Sequence, residues 1–363
     1  MTLAPAIDPD RLLTDLRTLR SFGAEGTGVV RPSLSPIDLE ARRWLADRFR
    51  DAGLEATIDG VGNVFGRSPN PGPAILTGSH SDTQPTGGWL DGAYGVIAGL
   101  EAARALLEDP STSHLAVDVV AWIDEESTYA SCLGSRSYAG LLEPAEIDEA
   151  VGPDGRTLTQ AWADAELDGV PAAREPDRHI GYVEAHIEQG ANLERAGNRI
   201  GVVTAIVGYR NFRVDVTGQQ NHAGTTPMPL RRDAGRGLIE FGHRIDQVFR
   251  QLCGERTVWT IGELSVHPGA PSIIPGRGQL NLQFRDPDAA TLRAMEAAVP
   301  EVAAEVADAV GVDIDVTSTG RAIDPVAMDP DLAEHLSAAA AAAAPDRWLA
   351  MPSAAVHDAM FVA

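Results

Sequence analysis

The sequence predicts an α/β protein whose sheet carries a site at its strand C-termini, interrupted by a second, ferredoxin-like α+β domain. Three observations carry this. Short apolar runs alternate with helical patterns over the first half of the chain. Each run ends in a histidine or in acids. After about residue 207 the pattern changes to period-two strands around two long helices.

Residues 37–52 place Ile37, Ala41, Trp44, Leu45 and Phe49 at helical spacing, with Ser35-Pro36 at the start and Gly53 at the stop. Residues 74–77 read as a short buried strand ending at Gly78, and 92–107 as a helix with small residues on one side. Residues 115–123 are apolar except for Asp118 and run into Asp124-Glu125-Glu126. Strands alternating with helices place a site at the strand C-termini.

Residues 212–216 alternate like a half-exposed strand, followed by a helix over about 231–252. Strands at 257–264 and 278–285, a helix at about 288–310 and a strand at 313–317 complete a β-α-β-β-α-β unit. The chain then returns to a helix at 333–343 and a short strand. The expected domains are therefore 1–207 with 325–363, and 208–324 inserted between them.

With 363 residues the chain is long enough for two domains. Its 44% apolar and 22% charged content is that of a soluble globular protein. A net charge of −23 argues against nucleic acid or an anionic membrane surface as partner. The two cysteines, Cys132 and Cys253, suggest a reducing compartment rather than a disulfide framework. With no signal peptide or apolar run of spanning length, the expectation is a cytoplasmic enzyme.

The chemistry concentrates in four segments. Gly78-Ser79-His80-Ser81-Asp82 puts a histidine just past a strand, with an acid two residues on that can fix its tautomer. Taken alone, His80 would read as a satisfied core residue. Asp91 precedes Gly92 and Gly95 and is either a helix N-cap or a carboxylate bridging two cations. Asp124-Glu125-Glu126 is either a solvated charge run or a cluster that needs cations to relieve its repulsion. Adjacent glutamates can divide labour, one binding a metal and one serving as general base. Alternation would put Glu184, His186 and Glu188 on one face of a strand.

In the second domain, His222 sits among small polar residues, where it can stabilise a developing oxyanion if the domain closes over the site. Arg285, at a strand end, can grip a substrate carboxylate or pair on the surface with Asp286 or Asp288.

Taken in order, Gly78-Ser79-His80-Ser81-Asp82, Gly87-Gly88 to Gly95, Gly134-Ser135-Arg136, His186-Ile187-Glu188-Gln189-Gly190 and His222-Ala223-Gly224-Thr225-Thr226-Pro227-Met228 resemble the metal-dependent aminoacylase/carboxypeptidase family. More closely they resemble its amidase branch of N-carbamoyl-L-amino-acid hydrolases, β-ureidopropionases and allantoate amidohydrolases. The resemblance runs from about Gly28 onward.

It implies a catalytic domain holding two divalent ions (Zn, Mn, Co or Ni) and an inserted lid domain that forms a homodimer. It further implies that His80 and His186 bind about one metal each, that Asp91 bridges, that Glu126 is a ligand and that Glu125 is the general base. His222 would reach the neighbouring subunit's site and steady the tetrahedral intermediate. Gln189, Ser272 and Arg285 would hold the substrate, Arg285 by its carboxylate. The substrate would be an N-carbamoyl-L-amino acid or, alternatively, allantoate or ureidoglycolate.

Three departures from the family pattern stand out. A fifth metal ligand is expected from a Ser-His segment beyond Phe361-Val362-Ala363, and His357 is not its equivalent. The sequence is then either truncated or has one incomplete metal site, and the rival to an enzyme is a non-catalytic metal-binding dimer. Ser272 stands where an asparagine is usual. Ser353-Ala354-Ala355-Val356 replaces a glycine-containing turn.

Overall fold

The computed structural model describes residues 5–362. Contacts divide the chain into two compact units. One is formed by the chain up to Arg195 and again from His357, the other by Ala196–Val356.

The first unit is built on a five-stranded sheet. Its spatial order is Glu55–Ile58, Val64–Arg67, Ala116–Trp122, Ala74–His80, His179–Val183. The last three strands are parallel, in a register that sets His80 beside Trp122. Period two decides which side chains face which layer. Val119 and Ala121 pack with Val96, Ile97, Leu100, Leu45 and Phe49 of the helices Ala93–Glu108 and Pro36–Asp51. Val120 and Trp122 face the other way, against Leu76, Tyr138 and Tyr182. A sheet covered on both faces explains why residues 115–123 read as a near-continuous apolar run.

The expected helix at 37–52 forms as Pro36–Asp51, with the Ser35 hydroxyl accepting the Asp38 amide at 3.3 Å. Asp118, the lone acid of its strand, is buried. It accepts from Arg178 Nε at 2.6 Å, Arg178 Nη2 at 2.7 Å and the Ser68 amide at 2.8 Å, with His179 Nε2 at 3.0 Å.

The second unit contains a four-stranded antiparallel sheet in the order Val258–His267, Arg277–Asp286, Gly208–Thr217, Asp313–Ser318. With the helices Ala234–Leu252 and Ala289–Val310 this is the expected ferredoxin-like pattern. Phe212, Val214, Val216, Leu280, Leu282 and Phe284 all turn to the face covered by those helices. A three-stranded sheet of Ile200–Ile206, Val326–Ala327 and Trp348–Ser353 belongs to the same unit. A two-residue strand, Asn221–His222, pairs with Ile273–Ile274. No described helix is long and apolar enough to cross a membrane.

Candidate metal and catalytic site

Parallel pairing brings the ends of two strands to the same edge of the sheet. His80 ends one strand, and Glu125 and Glu126 follow Trp122 at the end of its neighbour. His80, Asp91 and His186 each offer a ligand atom within 4.8 Å of the others', and so do His80, Glu125 and Glu126. His80 Nε2 lies 3.6 Å from Glu125 Oε2, and His186 Nε2 lies 3.2 Å from Asp91 Oδ1. Five of the residues singled out from sequence therefore converge in the first unit. A sixth, Gln189, joins them by donating its amide to Asp91 Oδ2 at 2.6 Å.

The tautomers are set by the main chain. His80 Nδ1 is 3.1 Å from the Asp82 carbonyl oxygen, and His186 Nδ1 is 2.9 Å from that of Ile187. A carbonyl only accepts, so each Nδ1 carries a proton, and in the neutral form of each ring the lone pair is on Nε2, the nitrogen nearer the carboxylates. The expectation that the Asp82 carboxylate would orient His80 needs correcting. That carboxylate sits at 3.6 Å and is drawn instead to the amides of Glu126 at 3.1 Å and Glu125 at 3.4 Å.

The acid triple divides into one structural and two site-facing members. Asp124 is buried and accepts from the amides of Thr128, Tyr129 and Ala130 at 2.7, 2.9 and 2.9 Å. Its own backbone is left-handed, with φ of 57°, as are Ser127 and Cys132 in the same turn. This strained turn brings the carboxylates of Glu125 and Glu126 beside His80. Gln84 holds Glu126 from the opposite side, donating to its carbonyl at 2.7 Å and its Oε2 at 3.0 Å.

Asp91 does not cap a helix with its side chain. Gly92 is the N-cap, at φ of 61°, and a Cβ there would meet the His80 ring at 2.4 Å. A Cβ on Gly95 would meet the Ala185 carbonyl oxygen at 2.2 Å. Both glycines are therefore required by the close approach of this turn to the two histidine-bearing segments. The strand expected through His186 ends at Val183. Glu188 turns away to accept from the Asn192 and Leu193 amides, and Glu184 turns to Ser79.

The electrostatics call for positive charge. Burial, with Asp82, Glu126 and Glu184 adding and His80 opposing, pushes Glu125 up to about 8. Burial likewise raises Glu126. Burial opposes charge on His80, but Glu125 and Asp82 outweigh it and hold the imidazole well above its usual value. Asp91 Oδ1 is buried, accepts no hydrogen bond among the described residues, and faces the Nε2 of His186. Two acceptors 3.2 Å apart repel unless a cation lies between them. Nitrogen and oxygen ligands at about 2.1 Å from a tetrahedral ion are about 3.4 Å apart, so the donor set fits a metal.

The second unit holds the other three candidates. His222 is exposed, and its Nδ1 accepts the amides of Gly224 at 3.0 Å and Thr225 at 3.2 Å. Two donors on Nδ1 force the remaining proton onto Nε2, making His222 an outward-facing donor. Ser272 adjoins it, its carbonyl accepting the Ala223 amide at 2.9 Å. Arg285 forms no ion pair among the described residues. Asp286 is taken by Thr257 and by the Asp288 amide, and Asp288 caps a helix at Ala290. Arg285 donates to Gln283 Oε1 at 2.9 Å and to the Ala354 carbonyl at 3.0 Å, and lies over the Tyr209 ring. Ala354 belongs to the turn whose lost glycine marked a departure from the family pattern.

A profile of peptidase family M20/M25/M40 matches residues 76–363, which include all of the clustered side chains. The chain belongs to this family. Within it, the chain is 36% identical to an N-carbamoyl-L-amino-acid amidohydrolase of Paenarthrobacter aurescens, over 100% of this chain and 89% of the relative. It is 33% identical to an allantoate amidohydrolase of Escherichia coli (strain K12), over 88% of this chain and 79% of the relative. A crystal structure of an amidase of the hydantoinase/carbamoylase family from Burkholderia phymatum superposes with a TM-score of 0.94 at 53% identity. It covers 99% of this chain and 89% of that one. This member of the family is accordingly an amidohydrolase, acting on amide C–N bonds.

Sequence reasoning passed over Gln84 and the buried carboxylate of Asp358, and it named Glu184 only for its place beside His186. Gln84 lies four residues after His80 in the same loop, and that proximity was the available signal.

Proposed function

We propose that the chain is a di-metal amidohydrolase that cleaves the carbamoyl group of N-carbamoyl-L-amino acids. The observation that carries this is the convergence of His80, Asp91 and His186 with Glu125 and Glu126 around shared, lone-pair-bearing atoms. His80, His186 and Asp91 would hold one ion together, in place of one histidine per ion. Asp91 and Glu126 would hold a second. Zn, Mn, Co and Ni all accept imidazole and carboxylate. Bound ions would supply Lewis acidity toward the substrate carbonyl and the attacking water.

The chain's own groups do the rest. Glu125 takes a proton from the attacking water and passes it to the leaving nitrogen. A carbamoyl substrate then ends as amino acid, carbon dioxide and ammonia. His222, as an Nε2–H donor, suits a developing oxyanion. Arg285 suits the substrate carboxylate, and Ser272 and Gln189 the polar atoms around the scissile amide. These roles are supported by local geometry and by resemblance.

The 33% identity to an allantoate amidohydrolase favours a second reading, in which the substrate is allantoate or ureidoglycolate. We further infer a homodimer formed through the strand Val258–His267. That strand lies at the sheet edge and exposes Val258, Ile261, Leu264 and Val266.

Ammonia release from a panel of N-carbamoyl-L-amino acids, allantoate and ureidoglycolate tests the reading, with the chain loaded in turn with Zn, Mn, Co and Ni. Turnover of N-carbamoyl substrates is expected. Turnover confined to allantoate or ureidoglycolate would move the assignment to the second reading, and none with any substrate would overturn both.

A further inference from the structure

Residues 357–359 are linked to all three stretches that carry the cluster, directly to that of His186 and through Glu184 and Ser135 to the other two. The Ser135 hydroxyl donates to Asp358 Oδ1 at 2.5 Å. Ser135 lies in the helix Leu133–Tyr138, whose start is tied back to the acid turn: the Leu133 amide donates to the Asp124 carbonyl and the Cys132 amide to that of Glu125. The Ala359 amide donates to Glu184 Oε2 at 2.9 Å, and Ser79 donates to Glu184 Oε1 at 2.6 Å. Glu184 is two residues before His186, and Ser79 is next to His80. The His357 ring lies against that of His186, centroid to centroid 4.4 Å.

Apolar packing does not account for this arrangement. Met360 and Phe361 are buried and would suffice to anchor the segment. Asp358 is 0% exposed, and burying a carboxyl costs several kcal/mol unless its contacts offset the loss of water. Among the described residues, none of its hydrogen-bonding partners is a cation. A group so costly to bury, spent on one serine of the helix tied to the acid turn, points to a geometric task.

We propose that His357 and Asp358 are positioning residues, and that residues 357–359 fix the spacing of the His80, Glu126 and His186 stretches and so the cluster's affinity for its cation. This rests on reading the cluster as a metal centre. Side chains that hold ligands in place typically change metal affinity roughly 10–100-fold when removed.

The test is equilibrium titration of the metal-free full chain with Co2+, followed by its visible ligand-field absorption. The series is wild type, Asp358→Ala, Asp358→Asn and Ser135→Ala, with circular dichroism to confirm folding. Asp358→Ala and Ser135→Ala are expected to bind Co2+ roughly 10–100-fold more weakly with a shifted band. Asp358→Asn, whose carbonyl can still accept from Ser135, should return toward wild type. Folded alanine variants with wild-type affinity and an unshifted band would overturn the proposal. If Asp358→Ala does not fold, Ser135→Ala decides by the same criterion. A wild-type chain that binds no Co2+ would instead overturn the metal-centre reading, and this proposal with it.

Discussion

The Asp82 carboxylate accepts the backbone amide of Glu126 at 3.1 Å, so one short segment orients His80 through its carbonyl and the acid turn through its side chain. Asp82 is 0% exposed, and burial opposes its charge, but the nearby His80 and Arg42 together with the Glu126 amide outweigh it and hold the acid below its usual value. An ionised carboxylate accepting main-chain amides is a strong constraint on their geometry.

Asp82→Ala should therefore disturb Glu125 and Glu126 without touching a ligand. A drop of roughly 10–100-fold in metal affinity or turnover is expected, read by metal titration and steady-state kinetics. An unchanged variant would mean that Asp124 alone holds the turn.

His222 carries its only free proton on Nε2, because Gly224 and Thr225 occupy Nδ1. Replacing it by alanine should lower kcat by about 10²–10³ while metal content stays at the wild-type level. A fall in KM affinity with kcat unchanged would make it a binding group only.

Asp118 has a structural task that the sequence did not disclose. Burial works against its charge, but His179 and Arg178 overcome this and hold the acid at about 2. Its contribution is complete above the unfolded value of about 4 and is lost as pH falls from about 4 toward 2. Asp118→Ala leaves Arg178 without its carboxylate and should cost about 3–5 kcal/mol of stability at neutral pH. Denaturant unfolding checks this, and a loss below about 1 kcal/mol would show that Arg178 finds solvent or another partner.

The dimer inference predicts that Leu264→Glu yields a monomer at concentrations where the wild type is dimeric, because a charge on an exposed edge strand opposes pairing. Sedimentation velocity distinguishes the two. A variant that remains dimeric would move the interface away from Val258–His267.

Much of the fold was legible because its elements obey simple periods. Residues 115–123 and the alternation at 212–216 each appeared where expected, since one decides a doubly covered strand and the other a singly covered one. Five clustered residues were legible because each follows a strand or precedes a glycine turn. What the sequence hid was the use of polar atoms across long separations. Nothing local shows that Asp358 would meet Ser135, or that Asp82 would serve Glu126 before His80. The strand expected through His186 failed at Val183 because Glu184 leaves the ladder to accept from Ser79 and Ala359.

Glu125 carries the central claim, as the one acid of the cluster assigned to proton transfer and not to holding metal. Metal content and ammonia release of Glu125→Gln test it most directly. The account predicts a folded protein with the wild-type metal content and turnover of an N-carbamoyl-L-amino acid reduced by at least about 10²-fold. Loss of metal would show that Glu125 is a ligand, and undiminished turnover that another group moves the proton; either result contradicts the account.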